Sequence, residues 1–469
     1  MDVMKFGVVS VSEAARLRDL ARIVKAAHDD GRALVVVCTA LGGITDKLIG
    51  AARGAAVGNE AAVEEARREL WSRHRVLAEK LAADEWEREA LYREWADLLK
   101  TFDRFTRSIA TLREHSPRSI DAVAALGERF ATHLVATALR QAGVSARTVD
   151  AAELIVTDNH YGSAWPFPEE SSERIRARLG PLLQARIVPV ITGYIGATRE
   201  GVVTTLGRGG GDYSATLIGA ALGADQVCIW TDVDGILTAD PKIVPEARTL
   251  AELSYVEAAE IATFGAEVLH PRTLAPVAEQ GIPLRIGNVL RPERPGTRVM
   301  SQPQPTAHAA RSIISARGLS LLGIGAAAGS AAGWTPDLAA RALARLSEAG
   351  VEILNFAQSF SERSLTLTVR GADATFARDS LTAAFARERA AGALREIMLT
   401  TPVALVAVIS APGGDGLAPR TLAALGRAGA HVLALAQGTA SYHISFILPE
   451  AEVDRVVKVL HDDLGLAAG

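Results

Sequence analysis

Apolar and polar positions in the first 300 residues switch repeatedly between the periods of strands and of helices. Val3 to Phe6 and Leu34 to Cys38 are short apolar runs, and between them Val11 to His28 has the spacing of one amphipathic helix ending near Gly31. Similar runs follow at Ile187–Ile191, Tyr213–Leu222, Val227–Trp230, Ser254–Ala262 and Leu284–Ile286. This rhythm predicts an α/β domain over residues 1–300, with a mostly parallel sheet sandwiched by helices.

A strongly charged segment from Glu60 to Leu112 interrupts the rhythm. Its large apolar residues recur every three or four positions, as one helical face requires, at Leu91, Trp95, Leu98, Phe102 and Phe105. We expect this face to belong to the core.

Residues 291–310 carry four prolines and mark a domain edge, beyond which an internal repeat begins. The fourteen residues from Leu346 match those from Leu425 at six positions, with an offset of 79, and each copy has the order strand, helix, strand, strand, helix. The pattern predicts two α+β (βαββα) domains, 311–398 and 399–469. Ionisable residues are few in their loops, so we interpret them as a paired binding module whose sheets pair edge to edge.

Composition narrows the function classes. The 469 residues include 50 basic and 54 acidic side chains, a formal net charge of −4 with no long basic run, so we expect no nucleic-acid or membrane partner and a small-molecule ligand instead. No apolar run is long enough to cross a bilayer. Cys38 and Cys228 lie in strand-like runs and indicate a reducing compartment, from which we predict a cytoplasmic protein.

The first candidate cluster, Lys5, Gly7 and Ser10, lies at a strand-to-helix turn. Ser10 and Glu13 have the spacing of a capping box, and free amides at a helix start together with a lysine can hold an anion. Alone this signal is weak, because lysines at strand ends are mostly solvated.

The second cluster is more informative. Three consecutive glycines, Gly209 to Gly211, allow close backbone approach to a ligand and are flanked by Arg208 and Asp212. The stretch from Ile229 to Lys242 then offers several acidic and hydroxyl groups after a buried strand, and a capped turn with solvated acids explains it equally well. Loops at 39–46 and 126–129 also follow element ends, where open α/β sheets bind ligands.

Together these segments resemble the aspartokinases of the amino-acid kinase superfamily. The matching stretches are KFGVVSV, VVVCTALGGITD, LGERF, VITGYIG, TTLGRGGGDYSAT, IWTDVDGILTADP, SYVEAAEIATFGAEVLHPRTLAPV and IPLRIGN, in family order, and the C-terminal repeat is similar to the tandem ACT domains of those enzymes. The resemblance covers residues 3 to 464. It implies ATP-dependent phosphorylation of the β-carboxylate of L-aspartate, giving 4-phospho-L-aspartate and ADP.

The resemblance also implies roles for individual residues. Lys5 and Asp212 are the implied catalytic pair, and no general base is needed because a carboxylate is already an anionic nucleophile. Aspartate is implied to contact Thr39, Thr45, Glu128 and Arg208. ATP is implied to contact Lys5, Gly7, Ser10, Gly209, Gly210, Thr231, Asp232, Gly235 and Lys242, with Mg2+ arriving on the phosphates and no metal site built by the protein alone. For His270 we prefer a structural role.

Four positions depart from the family pattern. Val8 and Val9 replace a glycine and a threonine, Gly211 replaces a serine, and Glu267 replaces a lysine on the nucleotide side. A β-branched residue disfavours positive φ, so we expect Val8 to crowd the phosphate loop. Two further interpretations therefore remain: a catalytically impaired binding or regulatory protein, and a kinase for a different small carboxylic amino acid.

The ACT-like repeat implies allosteric feedback by an amino-acid effector, whose identity the sequence does not give. Candidate contacts are Glu352, Gln358, Ser361 and Glu362, and each is equally well explained as a polar strand-end residue facing water. Edge-to-edge pairing of small sheets normally needs a second chain, so we expect a homodimer or larger homo-oligomer.

Overall fold

The computed structural model describes residues 1–82, 84–265, 269–304, 310–327, 335–359, 361–411, 416–438 and 442–467. The chain forms two compact units. The first comprises residues 1–236, 251–258 and 268–303, and the second comprises residues 237–250, 259–267 and 304–469. The segment that connects two strands of the first unit, 237–250, thus packs with the second.

The first unit is built on an eight-stranded sheet with helices on both faces. Its strands are β1 (Asp2–Phe6), β2 (Leu34–Cys38), β3 (Ala146–Val149), β4 (Val188–Thr192), β7 (Gln226–Thr231), β8 (Glu252–Ser254), β9 (Leu284–Asn288) and β10 (Thr297–Met300), and a separate hairpin pairs β5 (Ile195–Ala197) with β6 (Val203–Thr205). The sheet order is β3-β4-β2-β1-β7-β9-β10-β8, and all pairings from β3 to β9 are parallel. The predicted α/β fold is confirmed.

The helices of this part of the chain are mostly connections between strands. They are α1 (Val8–Val11), α2 (Ala14–Asp29), α3 (Ile44–Ala56), α4 (Glu60–Leu81), α5 (Glu85–Leu112), α6 (Pro117–Ala124), α7 (Leu126–Gln141), α8 (Pro168–Gln184), α9 (Gly210–Leu222), α10 (Tyr255–Thr263) and α11 (Pro271–Gln280). The apolar face predicted between residues 91 and 105 lies on α5. Leu91, Trp95 and Phe102 are buried, and Trp95 stacks on Phe130 of α7, which confirms the core assignment.

Strand β1 occupies the point where the strand order changes direction. It pairs with β2 on one side and with β7 on the other, in register from Asp2 to Phe6. The loops after β1, β2, β4 and β7 therefore lie next to one another at the carboxyl edge of the sheet. Open α/β sheets bind their ligands at such a switch point.

The second unit contains the repeated segment. Its elements are β11 (Ala310–Gly325), α12 (Pro336–Glu348), β12 (Ile353–Ser359), β13 (Ser364–Arg370), α13 (Ala374–Ala384), α14 (Ala386–Ala390), β14 (Met398–Ser410), α15 (Leu417–Ala428), β15 (Ala434–Gln437), β16 (His443–Pro449) and α16 (Val453–Asp463). Both copies have the predicted βαββα order. Their strands form one six-stranded antiparallel sheet, β12-β13-β11-β14-β16-β15.

The two copies share their first strands. The early half of β11, up to Ala316, pairs with the late half of β14, whereas the part from Leu319 onward pairs with both β13 and the early half of β14. Ile313 accordingly packs in the core of the second copy, and Leu322 packs in the core of the first. The edge-to-edge pairing expected between sheets thus occurs inside one chain. The division at residue 398 stays a prediction.

Among the helices within the described ranges, none is both long and apolar enough to cross a membrane.

Candidate active site

A cleft of about 500 Å³ opens at the carboxyl edge of the first unit's sheet. Its walls include eight residues that the sequence predicts as site residues: Lys5, Thr39, Thr45, Glu128, Arg208, Gly209, Gly210 and Asp212. They come from β1, from the loop after β2, from the first turns of α3, α7 and α9, and from the bend before α9. Segments that are far apart in the chain therefore meet at one place.

Lys5 and Asp212 form an ion pair inside the cleft. Nζ of Lys5 lies 2.6 Å from Oδ1 of Asp212, and each side chain is 14% exposed. Lys5 points from the next-to-last position of β1, while Asp212 lies in the first turn of α9, where the helix dipole favours a negative charge. The pairing leaves the ammonium fixed but still reachable from the cleft.

The triple-glycine bend brings α9 close to the sheet. Gly209 is in the left-handed region at φ +71°, and a Cβ at this position would lie 2.6 Å from Cβ of His270. His270 caps α11, because its Nδ1 accepts a hydrogen bond from the backbone N–H of Arg272 at 3.3 Å. These contacts agree with a structural role for His270.

Arg208 projects from the same bend and is exposed. Within the described part of the chain, its guanidinium has no hydrogen-bond or ion-pair partner. The guanidinium is a planar two-pronged donor that matches a carboxylate. It is therefore available to a ligand in the cleft.

Glu128 supplies a buried carboxyl group on the first turn of α7. The residue is 2% exposed, and its Oε2 lacks a hydrogen-bond partner among the residues described. Burial raises the pKa of Glu128 to about 8, although the backbone N–H groups of Glu128 and Ala40 favour the ionised form. A cationic ligand group would find an unsatisfied acceptor here.

Several cleft residues were not assigned from the sequence: Asp46, Ile49, Gly162, Tyr194 and Gly207. Tyr194 follows β4 in the left-handed conformation, with φ +69°. Its backbone N–H donates to Oγ of Ser214 at 3.1 Å, which ties it to α9. Its place just after a strand was an available signal, whereas Gly162 lies in a long loop without one.

The nucleotide-side candidates lie beside the cleft, at the ends of β1 and β7. The backbone N–H of Gly7 donates to the carbonyl of Trp230 at 3.2 Å, so Gly7 adjoins Thr231 across the two strands. Oγ1 of Thr231 donates to Oδ1 of the exposed Asp232 at 3.2 Å. Gly235 completes the turn at φ 116°.

Asp234 in this turn is held by neighbouring side chains. Nδ2 of Asn288 donates to it at 2.7 Å, and Arg291 and Arg294 form ion pairs with it at 3.0 and 2.7 Å. The turn therefore has a fixed shape, for which Asp234 serves as the anchor.

The loop after β1 differs from two sequence-based expectations. Val8 starts the short helix α1 and is not among the described residues with positive φ, so the positive φ assumed at position 8 is absent, while the crowding of the phosphate loop stays a prediction. The predicted capping box is wrong as well, since Ser10 lies inside α1 and Glu13 is the residue before α2, with no side-chain cap. The helix predicted from Val11 to His28 corresponds to α2, which begins at Ala14 after a bend that separates it from α1. Oγ of Ser10 is buried and has no hydrogen-bond partner in the described ranges.

Two of the other departures from the family pattern, Val9 and Gly211, cause no steric conflict in the structure. Val9 packs partly buried against the core. A Cβ at Gly211 would lie 3.4 Å from Cε of Lys5, an ordinary contact, so the family's serine would fit there. Glu267 lies outside the described residues.

The remaining candidates belong to the second unit. Lys242 lies there, with its backbone N–H bonded to Oδ1 of Asp240 at 2.9 Å. Glu352 pairs with Arg370 at 2.8 Å before β12, whereas Gln358, Ser361 and Glu362 lie around the turn between β12 and β13. At about 3.3 Å per residue, Glu352 and Gln358 are roughly 20 Å apart. Glu352 is thus not brought together with the other three.

Known proteins resemble this chain in sequence and in fold. The amino acid kinase family profile matches residues 2–288. Aspartokinase 1, chloroplastic, of Arabidopsis thaliana is 32% identical, over 98% of this chain and 79% of that protein. The bifunctional aspartokinase/homoserine dehydrogenase 1, chloroplastic, of Zea mays is 29% identical over 98% of this chain, which spans about half the length of that relative.

Solved structures match over the whole length. E. coli aspartokinase III in complex with aspartate and ADP (R-state) is 28% identical, with a TM-score of 0.80 over 99% of this chain and 100% of the other. The same enzyme in complex with lysine and aspartate (T-state) is also 28% identical and covers 99% of both chains with a TM-score of 0.79.

Proposed function

This chain belongs to the amino acid kinase family as one of its aspartokinases, and from that premise we propose that it transfers the γ-phosphoryl group of ATP to the β-carboxylate of L-aspartate. An oxygen of the β-carboxylate attacks the γ-phosphorus. The bond from this phosphorus to the bridging oxygen breaks, and ADP leaves with the electron pair. The products are 4-phospho-L-aspartate and ADP, and no proton is transferred.

The observation that carries this proposal is the Lys5–Asp212 ion pair in the same cleft as Arg208 and Glu128. The Lys5 ammonium neutralises charge on the oxygens of the transferring group, which is the main demand of phosphoryl transfer. Asp212 holds the ammonium in place before the reaction, so the ammonium does not have to be repositioned when the phosphoryl group is transferred. These two residues are the proposed catalytic pair.

The acceptor amino acid is proposed to bind through its two backbone groups. Arg208 binds the α-carboxylate in a two-pronged contact, and Glu128 accepts from the α-ammonium. The side chain of Thr39 or Thr45 then contacts the β-carboxylate that reacts. Arg208 as donor and Glu128 as acceptor fix the orientation between them, so an acid without an α-amino group should bind poorly.

ATP is proposed to lie along the ends of β1 and β7, against Gly7, Ser10, Gly209, Gly210, Thr231, Asp232 and Gly235. Lys242 is kept as a nucleotide contact by resemblance alone. In the described ranges no three carboxylate, histidine or cysteine side chains gather as a metal site. We propose that Mg2+ enters bound to the phosphates of ATP, because this ion sheds its water reluctantly and is usually held through substrate phosphates; there it would supply positive charge to the leaving group.

A coupled assay for ADP release tests the function directly. L-Aspartate is compared with glutamate, succinate and β-alanine, each with and without Mg2+. We expect turnover with aspartate and at least about tenfold lower kcat/KM with the acids that lack the α-amino or α-carboxyl group. Turnover with none of the acids would overturn the proposal and leave an impaired binding protein, and preference for another acid would reassign the acceptor.

For the second unit we propose an amino-acid effector and a homo-oligomeric assembly. Support for the effector is the likeness to the lysine-bound T-state structure named above. Gln358, Ser361 and Glu362 remain its proposed contacts. A cytoplasmic location is proposed from the two thiols, which are free and buried. Light scattering at assay concentration tests the assembly, and a monomer would contradict it.

A further inference from the structure

Asp121 is a buried carboxylate that receives three hydrogen bonds behind the cleft. It lies on α6, its Oδ2 accepts from the backbone N–H of Gly162 at 2.8 Å and of Thr205 at 2.9 Å, and its Oδ1 accepts from Oγ1 of Thr205 at 2.9 Å. Burial raises the pKa of Asp121, and the three hydrogen bonds oppose that rise.

The three donors belong to two different walls of the cleft. Gly162 lines the cleft directly. Thr205 ends β6, and the chain continues from it through Gly207 to Arg208. The two walls also touch each other, because the backbone N–H of Ala164 donates to the carbonyl of Thr205 at 2.9 Å.

Gly207 allows the segment from Thr205 to Arg208 to lie very close to the wall that contains Gly162. It has φ +76°, and a Cβ there would lie 3.2 Å from the carbonyl oxygen of Gly162. The direction in which Arg208 leaves the bend therefore depends on where the Gly162 wall stands. Asp121 is the side chain that joins the Gly162 wall to β6.

We propose that Asp121 is a positioning residue for the acceptor subsite: by joining Gly162 to Thr205 it sets the place from which Arg208 binds the α-carboxylate of the amino acid. This inference rests on the proposed function. Asp121 acts through Arg208 and Gly162, and both of its oxygens accept hydrogen bonds from the protein.

The physical basis is the cost of leaving buried donors unpaired. Removing the carboxylate leaves two backbone N–H groups and one hydroxyl without an acceptor. The two walls must then shift for these donors to find other partners. Of the proposed ATP contacts only Gly209 and Gly210 lie in the bend that carries Arg208, and the others have no hydrogen bond to Asp121 among those described, so ATP binding should be affected much less than aspartate binding. A selective loss of acceptor affinity is the signature of positioning.

Two substitutions of different severity test the inference. Asp121→Ala leaves all three donors unpaired. Asp121→Asn keeps an oxygen for the two backbone N–H groups, and its amide can donate to Oγ1 of Thr205. Asp2→Ala is the matched control, because Asp2 is equally buried at 2% exposure and accepts from Arg32 and Gln226, but lies at the opposite end of β1.

Initial rates are measured against both substrates with each variant. We expect Asp121→Ala to raise KM for aspartate about tenfold or more, with KM for ATP within about twofold, and Asp121→Asn to recover most of the affinity. Asp2→Ala should leave both KM values unchanged. Parallel rises in both KM values, or a fall in kcat alone, would overturn the inference and leave a purely structural role.

A further variant covers the case in which Asp121→Ala does not fold. Thr205→Val replaces the hydroxyl that donates to Asp121 with a methyl group of nearly the same shape. It should raise KM for aspartate in the same selective way. An unchanged KM for aspartate in a folded Thr205→Val protein would contradict the inference.

Failure of the proposed function is recognised separately. If wild-type protein turns over no acid, the function fails, and amide hydrogen exchange then reports on the positioning. Exchange across Gly207 to Asp212 should accelerate in Asp121→Ala but not in Asp2→Ala. Equal exchange in this bend would overturn the positioning role on its own.

Discussion

The side chain of Val8 occupies the space beside the backbone of Gly42: a Cβ at residue 42 would lie 3.0 Å from Cγ1 of Val8. Val8 begins α1 directly after β1, and Gly42 lies in the loop between β2 and α3. Val8 is nevertheless 46% exposed, so its side chain has room to turn away. The departure at position 8 is thus accommodated by a glycine on the facing loop.

This contact predicts coupling between the two positions. Gly42→Ala should raise the apparent KM for ATP about two- to fivefold while Val8 is present and have little effect after Val8→Gly, because the clash needs both side chains. A double-mutant cycle on KM for ATP measures this interaction. Additive effects of the two substitutions would contradict the contact.

Lys5→Ala should lower kcat by about 10²- to 10³-fold, since it removes the positive charge aimed at the transferring group. The free energy of unfolding should change little, because neither the sheet that contains β1 nor the helix α9 depends on the ion pair with Asp212. Lys25→Ala, which removes an exposed lysine paired with Asp29, is the matched control. Near-normal turnover in Lys5→Ala would reject the assigned role.

Arg208→Lys should raise KM for aspartate about tenfold, although it keeps the charge. A lysine ammonium cannot reproduce the two parallel donors of a guanidinium. Steady-state kinetics measure the effect, with Arg199→Lys as a control on a surface ion pair with Glu170. An unchanged KM would mean that Arg208 does not hold the α-carboxylate.

Glu128 predicts a pH dependence whose sign follows from its raised pKa. Between its ordinary value of 4.5 and about 8, the unfolded chain loses the proton while the folded protein retains it, so folding stability falls as the pH rises. Glu128→Gln has no such proton, and without substrate it should be about 1 to 3 kcal/mol more stable than wild type at pH near 8. Chemical denaturation at several pH values measures the difference.

The control for this series is Glu79→Gln, an exposed glutamate paired with Arg75. It should leave the pH profile of stability unchanged. Equal slopes of stability against pH for wild type and Glu128→Gln would show that the Glu128 carboxyl is not held in its neutral form.

Gly209→Ala and Gly211→Ala should differ although both change one glycine of the same bend. Alanine at 209 meets His270 and must adopt positive φ, which costs about 1 to 3 kcal/mol and displaces the start of α9. Alanine at 211 makes an ordinary contact with Lys5 and should keep most of the activity. Thermal unfolding and kcat of the pair measure the contrast, and similar losses in both would contradict it.

Much of the fold follows from local pattern. The run from Leu34 to Cys38 forms the predicted strand to the residue, because five buried apolar positions leave few alternatives. The meeting of Lys5, near the end of β1, with Thr39, directly after β2, is likewise what the switch-point rule implies for loops at the carboxyl ends of strands.

The features that the sequence did not predict depend on contacts between segments that are far apart in the chain. Gly162 and Asp121 join the site through hydrogen bonds that no spacing reveals. Ser10 and Glu13 have the spacing of a capping box, yet the chain turns into α1 directly after β1 and places Ser10 inside that helix. The pairing of strands between the two repeats is also not predicted by hydrophobic periodicity. It arises because β11 and β14 are each long enough to pair with strands of both copies.

The shared strands limit how this protein can be dissected. A fragment ending near residue 398 would keep Ala310 and Ile313 but remove the core that covers them, and one starting there would lack the strand that completes its own sheet. Neither half would be a faithful mimic of its part in the intact chain. Ligand titrations on the repeats therefore belong on the full chain, which also keeps residues 237–250 and 259–267 of the second unit, and a mutation in either copy should shift the melting of that unit as a whole.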